Sequence, residues 1–508
     1  MDEGAQPTDV DVLIIGAGLS GIGAACHLVE RAPQKTYAVL EARERMGGTW
    51  DLFRYPGIRS DSDMFTLGYR FRPWKQAKAI ADGPDIRRYI RETAEHYGVD
   101  EHIRFSHRAV RAEWSSEKAR WKVTVERTDT GGKTELTCSF LYGCTGYYRY
   151  DEGYTPDLPG TERFGGQIIH PQHWPSDLDY SGKRVVIIGS GATAVTLVPA
   201  MSWDAERVTM LQRSPSYIVS LPARDPIADV VRRLLPDRIA YPLVRWKNVL
   251  VTLGFFKLSR RFPEIVKRWI GKGVKGELPA GVSIDPHFKP RYDPWDQRVC
   301  LVPDADLFRS LRSGKAEIVT GEIETFTEAG IALRSGEELE ADLVVTATGL
   351  NLQALGGIKL AVDGRKVELP EAVGYKGMML SGIPNMVLTL GYTNASWTLK
   401  ADLVAEYVCR LLNHMDSEGY DVATPRAPPP SQELEKFIDL EAGYVRRSID
   451  ELPWQGTEEP WKLHQNYPRD VLMLRYGSLT DEGISFSRAG RTVEAEDGGR
   501  EPEALITG

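Results

Sequence analysis

The chain predicts an α/β fold of two Rossmann-like dinucleotide-binding domains with a helical insertion, and three observations carry that expectation. Two glycine-rich turns, Gly16-Ala-Gly18-Leu-Ser-Gly21 and Gly189-Ser-Gly191-Ala-Thr-Ala194, each follow a β-branched apolar run and open a helical stretch. Each is completed by a second strand-like run, Tyr37-Ala-Val-Leu-Glu41 and Arg207-Val-Thr-Met-Leu-Gln212. Residues from about 225 to 292 then show helical apolar spacing and a dense run of cations.

Val10 to Ile15 is apolar apart from Asp11 and reads as a buried parallel strand, followed by a helix from about Gly21 to Glu30. Arg184-Val-Val-Ile-Ile188 starts the second unit in the same way. In the insertion, Pro236, Pro242 and Pro263 interrupt the helical pattern. Between Val230 and Lys275 twelve Lys and Arg face only Asp237 and Glu264, a local charge of +10 in a chain whose net charge is −8. The chain returns to strands, ending at Asp342-Leu-Val-Val-Thr-Ala-Thr-Gly349. The first nucleotide domain would then hold residues 1–150 and 350–490, and the second 151–224 and 293–349, around an insertion at 225–292. A polar, charged tail at 491–508 is expected to be disordered.

Hydrophobic content of 42% and charged content of 26% are those of a soluble globular protein. The acidic balance argues against nucleic acid as a partner. Cys26, Cys138, Cys144, Cys300 and Cys409 form no CxxC pair, so neither a disulfide framework nor a metal site is expected. The acidic N-terminus lacks a signal-peptide pattern and no apolar run reaches spanning length, which predicts a cytoplasmic protein.

In a dinucleotide turn the first glycine permits the bend and the second lets a pyrophosphate approach the backbone. The third lets helix pack on strand, and the helix N-terminus stabilises phosphate charge. Gly16, Gly18 and Gly21 fill these places, and the Ser20 hydroxyl can add a hydrogen bond. Glu41 ends the second strand, where a carboxylate accepts ribose hydroxyls and repels a 2′-phosphate, so this site suits FAD or NAD. At the second turn, Gly189, Gly191 and Ala194 lead to Gln212-Arg213-Ser214, with no acid at the ribose position. Arg213 can pair with a 2′-phosphate and Ser214 can donate to it, so NADPH is expected there. Two such sites in one chain point to hydride flow between a nicotinamide and a flavin.

Two longer fingerprints sharpen this. Gly47, Gly48, Trp50, Tyr55, Pro56, Gly57 and Asp61 fill the pattern [A/G]GxWxxxx[F/Y]P[G/M]xxxD, and Phe164, Gly166, His170, Trp174 and Pro175 fill FxGxxxHxxxW[P/D]. On these residues, both glycine turns and Asp342…Ala347-Thr348-Gly349, the chain resembles class B flavin monooxygenases of the type I Baeyer–Villiger group. Arg54–Asp63, Trp295-Asp-Gln-Arg298 and Gly391–Lys400 are similar to the ethionamide-activating branch. The resemblance implies an NADPH- and O2-dependent FAD monooxygenase that converts ketones to esters or lactones through a C4a-peroxyflavin and also oxygenates sulfides and thioamides. It implies cofactor contacts from Gly16, Gly18, Ser20, Gly21, Glu41, Gly48, Thr49, Trp50, Asp51, Leu52, Arg59, Ser60, Asp61 and Val110. It implies further contacts from Gly189, Ser190, Gly191, Ala192, Thr193, Ala194, Val195, Arg213 and Ser214.

Arg298 resembles the family's catalytic arginine, a fixed cation that stabilises a peroxide and its carbonyl adduct without surrendering a proton. Asp61 should orient it. Many family members carry Lys just before that arginine; Gln297 stands there here, which shifts phosphate recognition onto Arg213. His170 reads as architectural, in a linker between the units, and Trp397 as either a cavity wall or a core residue. The insertion reads as a solvated helical cap, or as a peripheral contact with anionic lipid suggested by Trp246, Phe255, Phe256 and Trp269. The rivals are a flavin monooxygenase confined to nitrogen or sulfur, a disulfide reductase, which would need a cysteine pair beside the flavin, and a redox-sensing flavoprotein. Oligomeric state stays open.

Overall fold

The computed structural model describes residues 7–438 and 441–489, so the tail expected to be disordered at 491–508 lies outside the described residues. In chain order the first unit comprises β1 (Asp9–Ile15), α1 (Leu19–Arg31), β2 (Tyr37–Leu40), β3 (His107–Ser115), β4 (Arg120–Arg127) and β5 (Lys133–Gly143). β1 lies between β2 and β5, parallel to both, with Val12 opposite Tyr37 and Phe140. Its two faces feed different cores. Val12 and Ile14 pack with α1, while Leu13 and Ile15 pack with Trp114 and Trp121 of the β3–β4 hairpin. Burial on both faces explains a run that is almost wholly apolar instead of alternating. Late segments complete this nine-stranded sheet: Lys359–Val362 joins β3, and Met386–Leu388 runs parallel to β5.

The second unit contains β6 (Arg184–Ile188), α2 (Ala192–Met201) and β7 (Arg207–Gln212), followed by the insertion helices α3 (Pro226–Leu234), α4 (Asp237–Arg261) and α5 (Pro263–Glu277). Its five strands are all parallel, in the order Ala316–Thr320, β7, β6, β8 (Leu343–Thr346) and Gln167–Ile169. β8 is shorter than the run expected from Asp342 to Gly349. Asp342 instead turns its carboxylate onto Arg184, accepting from its backbone N–H at 2.8 Å and from Nη2 at 2.7 Å. At the other end Gly349 takes a left-handed φ of 117°.

Pro236 and Pro263 punctuate the insertion as expected, but Pro242 lies inside α4 without breaking it. Tertiary bonds on the adjoining turn compensate for the lost backbone bond. The Tyr241 hydroxyl donates to the Tyr69 carbonyl at 3.0 Å. The buried Arg245 guanidinium donates to the carbonyls of Phe65 and Gly68, each at 2.7 Å, and to Asp402 at 3.3 Å. Asp402 belongs to α6 (Trp397–Glu418), which packs on α1, and it also accepts from the Arg70 N–H at 3.0 Å and pairs with His27 at 3.3 Å. Burial alone would raise the Asp402 pKa; the bonds from His27, Arg245 and the Arg70 N–H outweigh it and hold the carboxyl below its usual range. The insertion is therefore pinned to the first unit by a buried ionic knot. Among the described residues no helix is long and apolar enough to cross a membrane.

Candidate functional site

The first glycine turn joins β1 to α1, and its third glycine is obligatory: a Cβ on Gly21 would stand 1.8 Å from the Gly16 carbonyl oxygen. Glu41, at the end of β2, is buried and fastens the turn by accepting from the Ala17 N–H at 2.8 Å and the Arg43 N–H at 2.9 Å. Burial pushes its pKa up, and those two N–H bonds oppose the rise. The Ser20 hydroxyl accepts from the Trp397 indole N–H at 2.6 Å, which leaves its own proton to donate to an anion. Trp397 thus sits at the N-terminus of α6 against the turn, as a wall of the site.

The fingerprint Gly47–Asp61 spans both units. Gly48 approaches Gly18 so closely that a Cβ there would come within 2.9 Å of the Gly18 Cα, and the Tyr150 hydroxyl lies beside Gly48 and Thr49. Thr49, Trp50, Asp51 and Leu52 form a single helical turn. The Asp51 carboxylate is wholly buried and engaged by Arg43 at 2.7 Å, by Arg54 and by Arg87 at 3.5 Å, so it braces the loop. Leu52, Phe53 and Tyr55 enter the core of the second unit beside Val195 and Val198, with the Tyr55 hydroxyl next to Thr193. Arg59 is committed to Asp306 of a neighbouring helix, and the Ser60 hydroxyl donates to the Ser62 carbonyl at 2.6 Å. Val110 lies half-buried in β3, at a break in register between Ala109 and Arg111.

Asp61 then meets Arg298, with Nη1 at 2.6 Å from Oδ2. Their side chains are 37% exposed for Arg298 and 46% for Asp61, so solvent reaches the pair while protein crowds the guanidinium, as expected of a pair on the wall of a cleft. Desolvation works against the cation, and the Asp61 carboxylate overrides it, with Tyr147, Tyr444 and Tyr148 in the same surroundings; the guanidinium pKa lies well above its ordinary value. Tyr147 stacks on Trp397, ring centroids 5.2 Å apart, and its hydroxyl is 2.9 Å from that of Tyr148. An aromatic bridge therefore runs from Ser20 of the first turn through Trp397 and Tyr147 to the surroundings of Arg298.

At the second turn the Ser190 hydroxyl donates to the Ser214 carbonyl at 2.8 Å, drawing the strand end over the turn. Ala194 and Val195 are buried in the α2 packing, whereas a Cβ on Gly191 would meet nothing within 4 Å, so space opens before the α2 N-terminus where Ala192 and Thr193 begin the helix. Gln212 is buried and donates to the His287 carbonyl at 2.7 Å and to Thr320 at 2.9 Å. Arg213 and Ser214 project into solvent, and among the described residues Arg213 has no ion-pair partner.

In the second fingerprint, His170 Nε2 lies 3.2 Å from the Gly349 carbonyl and Nδ1 accepts from the Gln172 N–H at 3.2 Å. Burial lowers its pKa, so the ring is neutral and ties the linker to the end of β8. The expectation for the insertion needs correcting in one respect. Phe255 and Phe256 turn inward, edge-on to Trp295, and only Trp246 and Trp269 of the four aromatics are exposed. The sequence reading missed Tyr147, Tyr148 and Tyr444. The first two directly follow Cys144-Thr-Gly146 at the end of β5, beside the first turn, and that position could have exposed them; Tyr444 carried no signal.

Comparison with known proteins bears on this arrangement. Residues 14–89 match the NAD(P)-binding Rossmann-like domain and residues 79–231 the flavin-binding monooxygenase-like family. FAD-containing monooxygenase EthA of Mycobacterium tuberculosis is 56% identical over 480 residues, covering 94% of this chain and 98% of its own length. The chain belongs to the EthA-type FAD-containing monooxygenases. Solved structures with the same fold include an oxidized steroid monooxygenase bound to NADP (TM-score 0.72, 21% identity, 94% of this chain and 100% of that one). Another is an ε-caprolactone-bound cyclohexanone monooxygenase (TM-score 0.70, 20% identity, 94% and 100%). As an EthA-type monooxygenase, the protein is a flavoenzyme; its first glycine turn lies in the matched Rossmann-like segment and its second in the matched flavin-binding monooxygenase-like segment.

Proposed function

We propose that this EthA-type monooxygenase uses NADPH and O2 to convert ketones to esters or lactones, and oxygenates sulfides and thioamides in the same cleft. The observation that carries the reading is the Arg298–Asp61 pair, a permanent cation held at 2.6 Å by a carboxylate and joined to the first glycine turn by Trp397 and Tyr147. The relatives support it in kind: one is an NADP complex, and another holds a lactone.

The residues fit both cofactors. FAD would lie along the first turn, its pyrophosphate against the α1 N-terminus and the Ser20 hydroxyl and its ribose at Glu41, and the touching backbones of Gly18 and Gly48 put no side chain in its way. NADPH would lie along the second turn, with its pyrophosphate in the open space before α2 and its 2′-phosphate on Arg213 and Ser214. In this reading residues 1–150 and 350–490 serve FAD, 151–224 and 293–349 serve NADPH, and 225–292 cover the cleft. When bound and reduced, the flavin supplies electrons to O2 and so the oxygen atom that is transferred.

The chain's own contribution is electrostatic. Arg298 faces the negative charge that develops when oxygen attacks a carbonyl, and a preformed cation there needs no reorganisation. Because its pKa is held high, it does not quench an anionic nucleophile by proton donation. Asp61 fixes the direction of the guanidinium. Tyr147, Tyr148 and Trp397 close the apolar side and exclude water.

The test is an aerobic incubation of the yellow protein with NADPH and a panel of linear, cyclic and aryl ketones and sulfides, read by mass spectrometry. Esters or lactones one oxygen heavier than the ketone are the expected products. Sulfoxides with no ester from any ketone would assign the enzyme to sulfur oxygenation alone, and no NADPH consumption beyond background would overturn the reading.

A further inference from the structure

The outer face of the insertion is more apolar than a solvated surface requires. Twelve of the nineteen large apolar side chains exposed among the described residues fall between Ile227 and Trp269. They are ordered. On α3, Ile227, Val230 and Leu234 follow a three-four spacing, which places them on one stripe, and Leu234 is 75% exposed. α4 presents Leu243 and Leu250, two turns apart, and α5 presents Trp269 at 59% exposure. The three helices pack consecutively, so their stripes lie on neighbouring elements.

Cations frame these stripes. Of the twelve between Val230 and Lys275, four are spent on carboxylates: Arg245, Lys247, Arg260 and Lys267. The other eight, among them Arg233, Arg238, Arg261 and Lys272, have no carboxylate partner among the described residues. The opposite face of α4 meets the cleft. Asn248 donates to Asp63, two residues from Asp61, at 2.8 Å, and Phe255 and Phe256 pack on Trp295, three residues before Arg298.

We infer that α3–α5 dock on an anionic phospholipid bilayer, with the apolar stripes entering the headgroup boundary and the unpaired cations meeting lipid phosphates. Charge complementarity selects this occupant. A second copy seated face to face would oppose two faces, each with eight cations lacking a carboxylate partner and only Asp229 and Asp237 to offset them, a repulsive isologous contact. A bilayer supplies both an apolar layer and negative charge at one surface. Because the inner side of the same helix carries contacts to both cleft-bearing segments, docking would hold the cleft one helical layer, about 10 Å, from the bilayer and make ketones and sulfides leaving it the nearest supply. That last step rests on the proposed oxygenation; the docking does not.

The experiment uses the full-length FAD-loaded enzyme in co-sedimentation with vesicles of phosphatidylcholine alone or with about one-third phosphatidylglycerol. Partitioning onto the anionic vesicles should exceed that onto neutral ones by more than about twenty-fivefold and should fall in high salt. Arg233→Gln with Lys272→Gln should weaken it by about twenty-fivefold, at about a factor of five per cation. Leu234→Ser with Trp269→Ser should weaken it by at least about tenfold. Both doubles should keep their flavin content and their turnover of a water-soluble ketone. Absence of binding to either vesicle overturns the inference, as does equal binding to both. So does self-association in sedimentation velocity that the apolar double abolishes while vesicle binding persists. If the apolar double loses its flavin, the charge double still decides. Sedimentation needs no turnover, so its failure is separable from failure of the ketone assay.

Discussion

Replacing Arg298 by Ala removes the one side chain assigned to charge stabilisation, and its effect can be worked from the cleft. A unit negative charge forming about 4 Å from a guanidinium gains about 4 kcal/mol at an effective dielectric of about 20. Asp61 at 2.6 Å offsets part of that field, and a side chain 37% exposed is screened further. We take about 2.7 kcal/mol as the surviving effect, which is about a hundredfold in rate. Anaerobic stopped-flow bleaching of the flavin by NADPH and aerobic ester formation separate the two half-reactions. Bleaching should stay within about tenfold of the parent, ester should fall about a hundredfold, and NADPH consumed without product should appear as hydrogen peroxide. Arg298→Lys keeps the charge but loses the planar fork that Asp61 grips, so an intermediate loss of about tenfold is expected. Ester yield per NADPH equal to the parent in Arg298→Ala would refute the assignment.

Arg213→Gln should lower kcat/KM for NADPH by about 10- to 100-fold and leave NADH nearly untouched; equal losses with both would show that Arg213 does not read the 2′-phosphate. Arg245→Met strands the buried Asp402 with only His27 and the Arg70 N–H, and should cost about 3 kcal/mol in denaturant unfolding. Asp402→Leu added to it should restore part of that loss, and strict additivity would contradict a direct pair. Burial holds the His170 pKa below the ordinary 6.5, so its contribution to stability is present above pH 6.5 and is lost as pH falls through the folded value. His170→Gln should therefore flatten the fall of Tm between about pH 6.5 and 5, and an unchanged slope would assign that fall to other groups.

Most of the scaffold was legible because it rests on local rules. The buried runs at 10–15 and 184–188, the glycine turns and the twofold recurrence of βαβ units are readable from apolar pattern and turn chemistry. The Arg298–Asp61 pairing was legible only through family likeness, since the two residues stand 237 positions apart and nothing local joins them. The interior of α4 was misread at Pro242 because the bonds that rescue the helix come from Phe65, Gly68 and Asp402, all remote in sequence. For the same reason Phe255 and Phe256 looked like surface aromatics until Trp295 was seen against them. The aromatic bridge through Trp397 and Tyr147 joins three distant segments, and no window along the chain contains it.

The return of the chain to its first sheet has a consequence for biosynthesis. Met386–Leu388 runs beside β5, and Trp397 reaches the turn after β1. On the ribosome, the amino-terminal nucleotide fold waits for a strand and an indole made more than 350 residues after its opening strand. With FAD at that turn, as proposed, flavin capture is a late event, belonging to a nearly finished polypeptide. A premature stop before residue 386 would leave Leu141–Gly143 of β5 unpaired on one side and the turn unwalled, and so a fragment disposed to aggregate and, on the proposed reading, never to turn yellow.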